Sequence, residues 1–361
     1  MQQGIWAISR NFLPGLALVL CLLMLVACGS ETSTTSLPLP IIPTDPNALT
    51  VALPVRNVGS LKLLGLSLGV AGQEAELLLD TGSAGLRVLA SAAGTQGLQR
   101  TSIPSVVTFG DNTQFVGVVA RAPVALGGIV SSEPVAIQLI DQVRCAPGAD
   151  QCSDRLFNSG QPFSGIVGTS LAARTANVDI FNPLTRLPGN FGSGYIIRTG
   201  GFQSSQGTFT AGLTPSNTAG FGILNLAPAG NGTSFSDGTR IWDDGSLQVS
   251  YAISVDGEQL LNSPPGRTVF DSGSSDNFIN SPLLGGPTFL IRTLPPGSSF
   301  QATLPGAFIY QVNVTFPVTP GLDRIFVDST NNVQLLGLPL FFKSDVLFDS
   351  DQGRIGFAPL G

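Results

Sequence analysis

Two segments of this chain run in the same unusual order: an apolar stretch ends abruptly at an aspartate, which is followed by a hydroxyl residue, a glycine and a second hydroxyl residue. The first is Glu76-Leu77-Leu78-Leu79-Asp80-Thr81-Gly82-Ser83, and the second is Thr268-Val269-Phe270-Asp271-Ser272-Gly273-Ser274-Ser275. The apolar runs read as buried strands, and each glycine permits a tight turn directly after the acid. One such turn is ordinary. Two copies 191 residues apart pose the question of whether two half-sites meet.

The surroundings of the two segments repeat as well. Lys62 to Val70 alternates partly, turns at Ala71-Gly72-Gln73 and runs into the first acid; Gln248 to Val255 alternates, turns at Asp256-Gly257 and returns into the second. Each acid is followed later by an apolar-apolar-glycine element, Ile166-Val167-Gly168 in the first half and Leu335-Leu336-Gly337 in the second. An internal duplication with divergent sequence accounts for this plan. Between these elements Val106 to Val118 forms a predicted hairpin around Phe109-Gly110-Asp111-Asn112-Thr113, a flap by its place in the chain or else a plain surface hairpin.

At 361 residues, 43% hydrophobic and only 11% charged, the chain has enough apolar material for two lobes with cores of their own. Its 44 glycines and 26 prolines favour short strands and turns over long helices. Lys62 and Lys343 are the only lysines and the net charge is −6, so nucleic acid is an unsuitable partner. There is no histidine, which excludes Ser-His-Asp and Cys-His catalysis and most zinc sites; no metal and no cofactor are expected. If the chain is an enzyme, carboxylates must serve as acid and base.

Residues 1–27 resemble a lipoprotein signal peptide, with Arg10, an apolar segment from Phe12 and Leu25-Val26-Ala27-Cys28 at its end. The resemblance implies lipid on Cys28 and a tether to the bacterial cell envelope, with the residue after Cys28, a glycine, favouring the outer membrane. An uncleaved membrane helix is the alternative, but the 16-residue run from Phe12 to Ala27 contains Pro14 and is short against the roughly 20 residues a span needs. Residues 28–49, rich in Ser, Thr and Pro, read as a flexible tether without basic residues, which leaves no basic propeptide to cover an acidic cleft. Cys145 and Cys152 are expected to pair in an oxidising compartment, closing a loop whose entropy is worth about 2 to 3 kcal/mol.

Two carboxylates held together share one proton, because both cannot ionise easily. The charged member can take a proton from a water lying between them while the protonated member donates to a substrate carbonyl oxygen. Asp80-Thr81-Gly82-Ser83 and Asp271-Ser272-Gly273-Ser274 resemble the paired signatures of the pepsin-like aspartic peptidases. Phe163 to Gly168 is similar to that family's segment behind the first acid, and Leu335 to Pro359 is similar to its C-terminal strands. With the signal region, the chain is also similar to a group of bacterial pepsin-like lipoproteins.

The resemblance implies an all-β, bilobal fold with a cleft between two pseudo-two-fold related barrel-like lobes, residues 50–197 and 198–361. It implies Asp80 and Asp271 as catalytic dyad, Thr81 and Ser272 locking the two loops, Ser83 and Ser274 bonded to the acids, and Gly82 and Gly273 providing the turns. The expected activity is endopeptidase cleavage of an extended polypeptide by a monomer; a non-cleaving module that grips peptides or an envelope partner is the alternative. Two positions depart from the family. Phe109, beside Gly110, falls where the flap tyrosine stands, and Arg87 where its supporting tryptophan stands. Arg87 and Phe109 are expected to approach each other, at a gain of about 0.5 to 1 kcal/mol if the pair is exposed.

Overall fold

A computed structural model of the chain describes residues 46–158, 160–173, 180–230, 234–235, 238–280, 292–304, 308–328 and 334–360. The signal region, Cys28 and most of the tether lie outside the described residues.

The two acid-bearing segments are built on one plan. In the first half, Leu61–Val70 and Gln73–Asp80 form an antiparallel hairpin; in the second, Gln248–Val255 and Glu258–Phe270 do the same. Both hairpins turn on a pair of residues with positive φ, Ala71 and Gly72 at 52° and 86°, Asp256 and Gly257 at 51° and 83°. That pair matches the right-handed twist of the flanking strands, and glycine in second place adopts it without a side-chain clash.

Each acid strand then lies parallel to its apolar-apolar-glycine element. Ile166, Val167 and Gly168 pair with Leu78, Leu79 and Asp80; Thr268, Val269 and Phe270 pair with Gln334, Leu335 and Leu336. The strand leaving each acid loop, Ala84–Leu89 or Asn277–Asn280, returns antiparallel along the other side of the same element. Each acid is therefore held at the end of a strand while its loop is pinned between two neighbours. Leu77, Leu78 and Leu79 are buried, as are Val269 and Phe270, so hydrophobic packing anchors both loops from below.

A six-stranded antiparallel layer joins the halves, in the order Gly222–Asn225, Arg354–Pro359, Ser344–Asp349, Gly194–Arg198, Gln206–Ala211 and Leu49–Val58. Tyr195 is fully enclosed in it, stacked between Phe209 and Phe348 at 5.1 Å from each, and its hydroxyl donates to the carbonyl of Thr169 at 2.8 Å. Thr169 ends the element behind Asp80, so the shared layer is bonded to the floor of the first loop. The result is an all-β, bilobal molecule.

Candidate active site

The loops that follow the two acids grip each other. The Thr81 amide donates to Ser272 Oγ at 3.1 Å, and the Ser272 amide donates to Thr81 Oγ1 at 2.9 Å. Each hydroxyl in turn donates into the strand of the opposite half: Thr81 Oγ1 to the carbonyl of Phe270 at 2.8 Å, Ser272 Oγ to the carbonyl of Leu79 at 2.7 Å. Every one of these four groups is buried, and the four bonds obey a two-fold relation. In so dry a place an unmade bond would cost about 1 to 3 kcal/mol, so a short polar residue is required at both positions.

This grip draws the acids together. The side chains of Asp80 and Asp271 stand side by side, each against the glycine that follows the other acid. Glycine is needed after each acid because of how close the opposite one stands: a Cβ on Gly82 would lie 2.4 Å from the carboxyl carbon of Asp271, and one on Gly273 would lie 2.8 Å from that of Asp80. The two half-motifs, 191 residues apart, form one site.

Their surroundings are unequal. Asp80 Oδ1 accepts from the amides of Gly82 at 2.8 Å and Ser83 at 3.0 Å, and its Oδ2 accepts from the Ser83 hydroxyl at 2.5 Å. Asp271 Oδ1 accepts from the Gly273 amide at 2.8 Å, and the Ser274 amide also favours its charged form. The expected hydroxyl bond is missing there. Ser274 Oγ donates instead to the carbonyl of Asp276 at 2.9 Å, which corrects the symmetric arrangement expected from the sequence. The cause is local. Asp276 is itself buried and fixed, accepting both guanidinium arms of Arg324 at 3.0 and 2.6 Å, the Ser275 hydroxyl at 2.6 Å and the Gly321 amide at 3.2 Å, so its carbonyl stands ready for Ser274.

Charge follows this asymmetry. Asp271 is pushed well above the ordinary carboxylate range, first by burial, then by the negative charge of Asp80 and the hydrogen bond to it; the Gly273 and Ser274 amides oppose the shift only in part. Protonation of Asp271 is thereby favoured, while three donors converge on the Asp80 carboxyl group.

Arg87 is wholly buried, so the value for an exposed pair does not apply to it. Its Nη1 donates to the carbonyls of Ala84 at 2.8 Å and Gly85 at 3.0 Å, and its guanidinium carbon lies 5.8 Å from the centre of the Phe109 ring. Burial lowers it to about 10 and the charge of Asp80 acts the other way, so the cation persists at neutral pH. Phe109 opens the turn between Gln99–Thr108 and Thr113–Ala122, with Gly110 exposed at the tip. Cys145 and Cys152 form a disulfide. Asp154 lies within 4.8 Å of both sulfurs, but these are bonded to each other and offer no thiolate pair to a metal.

Comparison with known proteins agrees with this fold. An aspartic proteinase from Irpex lacteus superposes with a TM-score of 0.57 at 16% identity, covering 87% of this chain and 98% of the other. The fold is that of the pepsin-like aspartic proteinases. Aspergillopepsin-1 from two strains of Aspergillus fumigatus is 26% identical over 321 residues, spanning 80% of this chain and 76% of that protein. A sequence family described as a protein of unknown function (DUF3443) matches residues 74–184, which contain Asp80, Arg87, the Phe109 hairpin and both cysteines.

Sequence reasoning missed the destination of the Ser274 hydroxyl and the Asp276–Arg324 pair. The signal for the second was present in Asp276, an acid placed directly after a Ser-Ser pair and before the apolar Phe278-Ile279, where an unpaired charge is costly.

Proposed function

We propose that this chain is an aspartic endopeptidase that hydrolyses peptide bonds in extended polypeptides bound across the cleft. The observation that carries the reading is the contact between Asp80 and Asp271 at the centre of the interlocked loops. In the proposed reaction Asp80, the ionised member, takes a proton from a water lying between the acids. The resulting hydroxide equivalent attacks the scissile carbonyl carbon, and Asp271 gives its proton to the carbonyl oxygen. Collapse of the tetrahedral intermediate breaks the C–N bond, with the proton held on Asp80 passing to the leaving amine. Asp271 recovers its proton from the collapsing intermediate. The interlock supplies the rigidity these steps need, since the loops that carry the two acids cannot part without breaking buried bonds.

The same proposal includes the tether. Cleavage before Cys28, lipid on its sulfur and an outer-membrane location in a bacterial envelope are supported by the Leu-Val-Ala-Cys run and the Ser/Thr/Pro-rich segment after it. Intact mass of the membrane-extracted protein, compared with Cys28→Ala, tests this part separately: loss of the acyl mass and release from the membrane are expected in the variant, and an unmodified Cys28 overturns it.

The enzymatic part is tested by digesting an unfolded protein from pH 3 to 7 with the wild type, Asp80→Ala and Asp271→Ala, with and without pepstatin. Cleavage with an acidic optimum, lost in both variants, is expected. Were intact substrate recovered at every pH, the second reading would replace the first: a peptide-gripping module that does not cleave, favoured by the phenylalanine and arginine at positions 109 and 87.

A further inference from the structure

The hairpin that carries Phe109 is braced on its far side. Thr113–Ala122 pairs with Val135–Cys145 along its whole length, from Ala122 opposite Val135 to Thr113 opposite Cys145, so the supporting strand reaches the turn itself. There the chain enters the disulfide loop, and that loop bonds to the turn from both of its ends. Beyond Cys145, the Ala146 amide donates to the carbonyl of Asn112 at 2.8 Å; beyond Cys152, the Ser153 amide donates to Thr113 Oγ1 at 2.9 Å.

Thr113 is the node of this contact. It is 2% exposed, although it sits at the end of a hairpin turn. Its hydroxyl accepts from Ser153 and donates to Asp111 Oδ2 at 2.7 Å, its amide donates to Asp111 Oδ1 at 3.0 Å, and its carbonyl accepts from the Phe109 amide at 2.9 Å. One residue thus joins the disulfide loop to Phe109 by hydrogen bonds alone. A row of rings makes the same connection through the core side: Phe109 meets Phe115 at 5.1 Å, and Phe115 meets Phe157 at 4.9 Å, just after the loop closes.

We propose that Thr113 and the Cys145–Cys152 loop are a positioning device for the flap, fixing Phe109 over Arg87 so that hairpin, supporting strand and loop move as one body. The proposal rests on the reading of this hairpin as a flap over the acids. Both cysteines are partly exposed and accessible to a small reductant. A dithiol such as dithiothreitol breaks the sulfur–sulfur bond with two electrons and two protons, leaving two thiols on the protein and a cyclic disulfide on the reductant. The ends of the loop are then free to part, and the bonds from Ala146 and Ser153 lose their common frame.

Amide hydrogen exchange tests this without reference to catalysis. The comparison is among oxidised wild type, wild type in dithiothreitol, Cys145→Ser with Cys152→Ser, Thr113→Val and Thr113→Ser, each observed in peptides covering residues 105–118 and in Gln73–Asp80 as an internal control. Reduction, the double serine variant and Thr113→Val are expected to speed exchange in the flap peptides at least tenfold, with the control strand unchanged; Thr113→Ser keeps the hydroxyl and should match the wild type. Equal flap protection in all five samples overturns the proposal, as does a loss of protection that spreads equally to Gln73–Asp80. If the wild type cleaves, the same variants should raise KM several-fold with a smaller change in kcat. If it does not cleave while flap exchange responds as stated, the peptidase reading falls and the positioning device stands.

Discussion

The guanidinium of Arg87 lies 5.8 Å from the centre of the Phe109 ring, and no part of Arg87 reaches solvent. A desolvated cation over an aromatic face is worth about 2 kcal/mol or more, above the value for an exposed pair. Its two bonds to the carbonyls of Ala84 and Gly85 add to this, because both are made in a buried setting. Arg87→Met should lower stability by about 2 to 4 kcal/mol, read as a shift in urea midpoint. Arg87→Lys keeps the charge but not the planar fork and should recover only part of the loss. A methionine variant as stable as the wild type would show that the buried cation contributes nothing to the fold.

At the loop interlock, Ser272→Ala deletes the donor to Leu79 and the acceptor of the Thr81 amide together. We expect a loss of about 2 to 4 kcal/mol in chemical denaturation, and a similar loss for Thr81→Val. Thr81→Ser retains the oxygen and should lie within about 1 kcal/mol of the wild type.

The unequal hydroxyls predict unequal variants. Ser83→Ala removes a donor from the ionised form of Asp80, and a hydrogen bond to a charge is worth about 1.5 to 3 kcal/mol. The acidic limb of kcat/KM should therefore move to higher pH. Ser274→Ala touches no carboxylate and should leave that limb in place. Equal shifts in the two variants would contradict the assignment of the proton to Asp271.

Asp271 also makes stability depend on pH. Above the ordinary carboxylate range the unfolded chain releases this proton while the folded protein keeps it, so wild-type stability falls as pH rises, by about 1.4 kcal/mol per unit, until the raised folded value is reached. Asp271→Asn carries no proton to release. Its stability relative to the wild type should climb as pH rises above the ordinary carboxylate range and level off once the raised folded value is passed, as urea midpoints measured against pH will register; parallel curves would refute the raised value.

Much of the fold is legible in the sequence because its signals are local and repeated. Leu77 to Asp80 and Val269 to Asp271 declare a buried strand that stops at an acid, and Asp256-Gly257 declares its hairpin. The apolar-apolar-glycine elements are legible as a repeat by their order, while their parallel pairing with the acid strands is seen only in the fold. What escaped has a physical reason. Arginine is almost never fully buried, so the complete burial of Arg87 has no signal in the sequence. Whether Ser274 bonds to Asp271 or to the carbonyl of Asp276 is a choice between rotamers, and Arg324, which holds Asp276 in place, is 48 residues further along the chain. The contact of Thr113 with Ser153 spans 40 residues and follows no repeat, and the pairing of Cys145 with Cys152 alone does not say what the loop rests against.

The crossed bonds of Thr81 and Ser272 restrict how the two halves of this molecule are free to diverge. Elsewhere the repeats have drifted until little beyond pattern survives, since a leucine layer tolerates many apolar substitutes. At these two positions a change in one half strands backbone groups that belong to the other, so neither copy can wander alone. Across relatives, residues 81 and 272 should vary only between serine and threonine, and the two halves should be separable into independent proteins only if both loops are rebuilt.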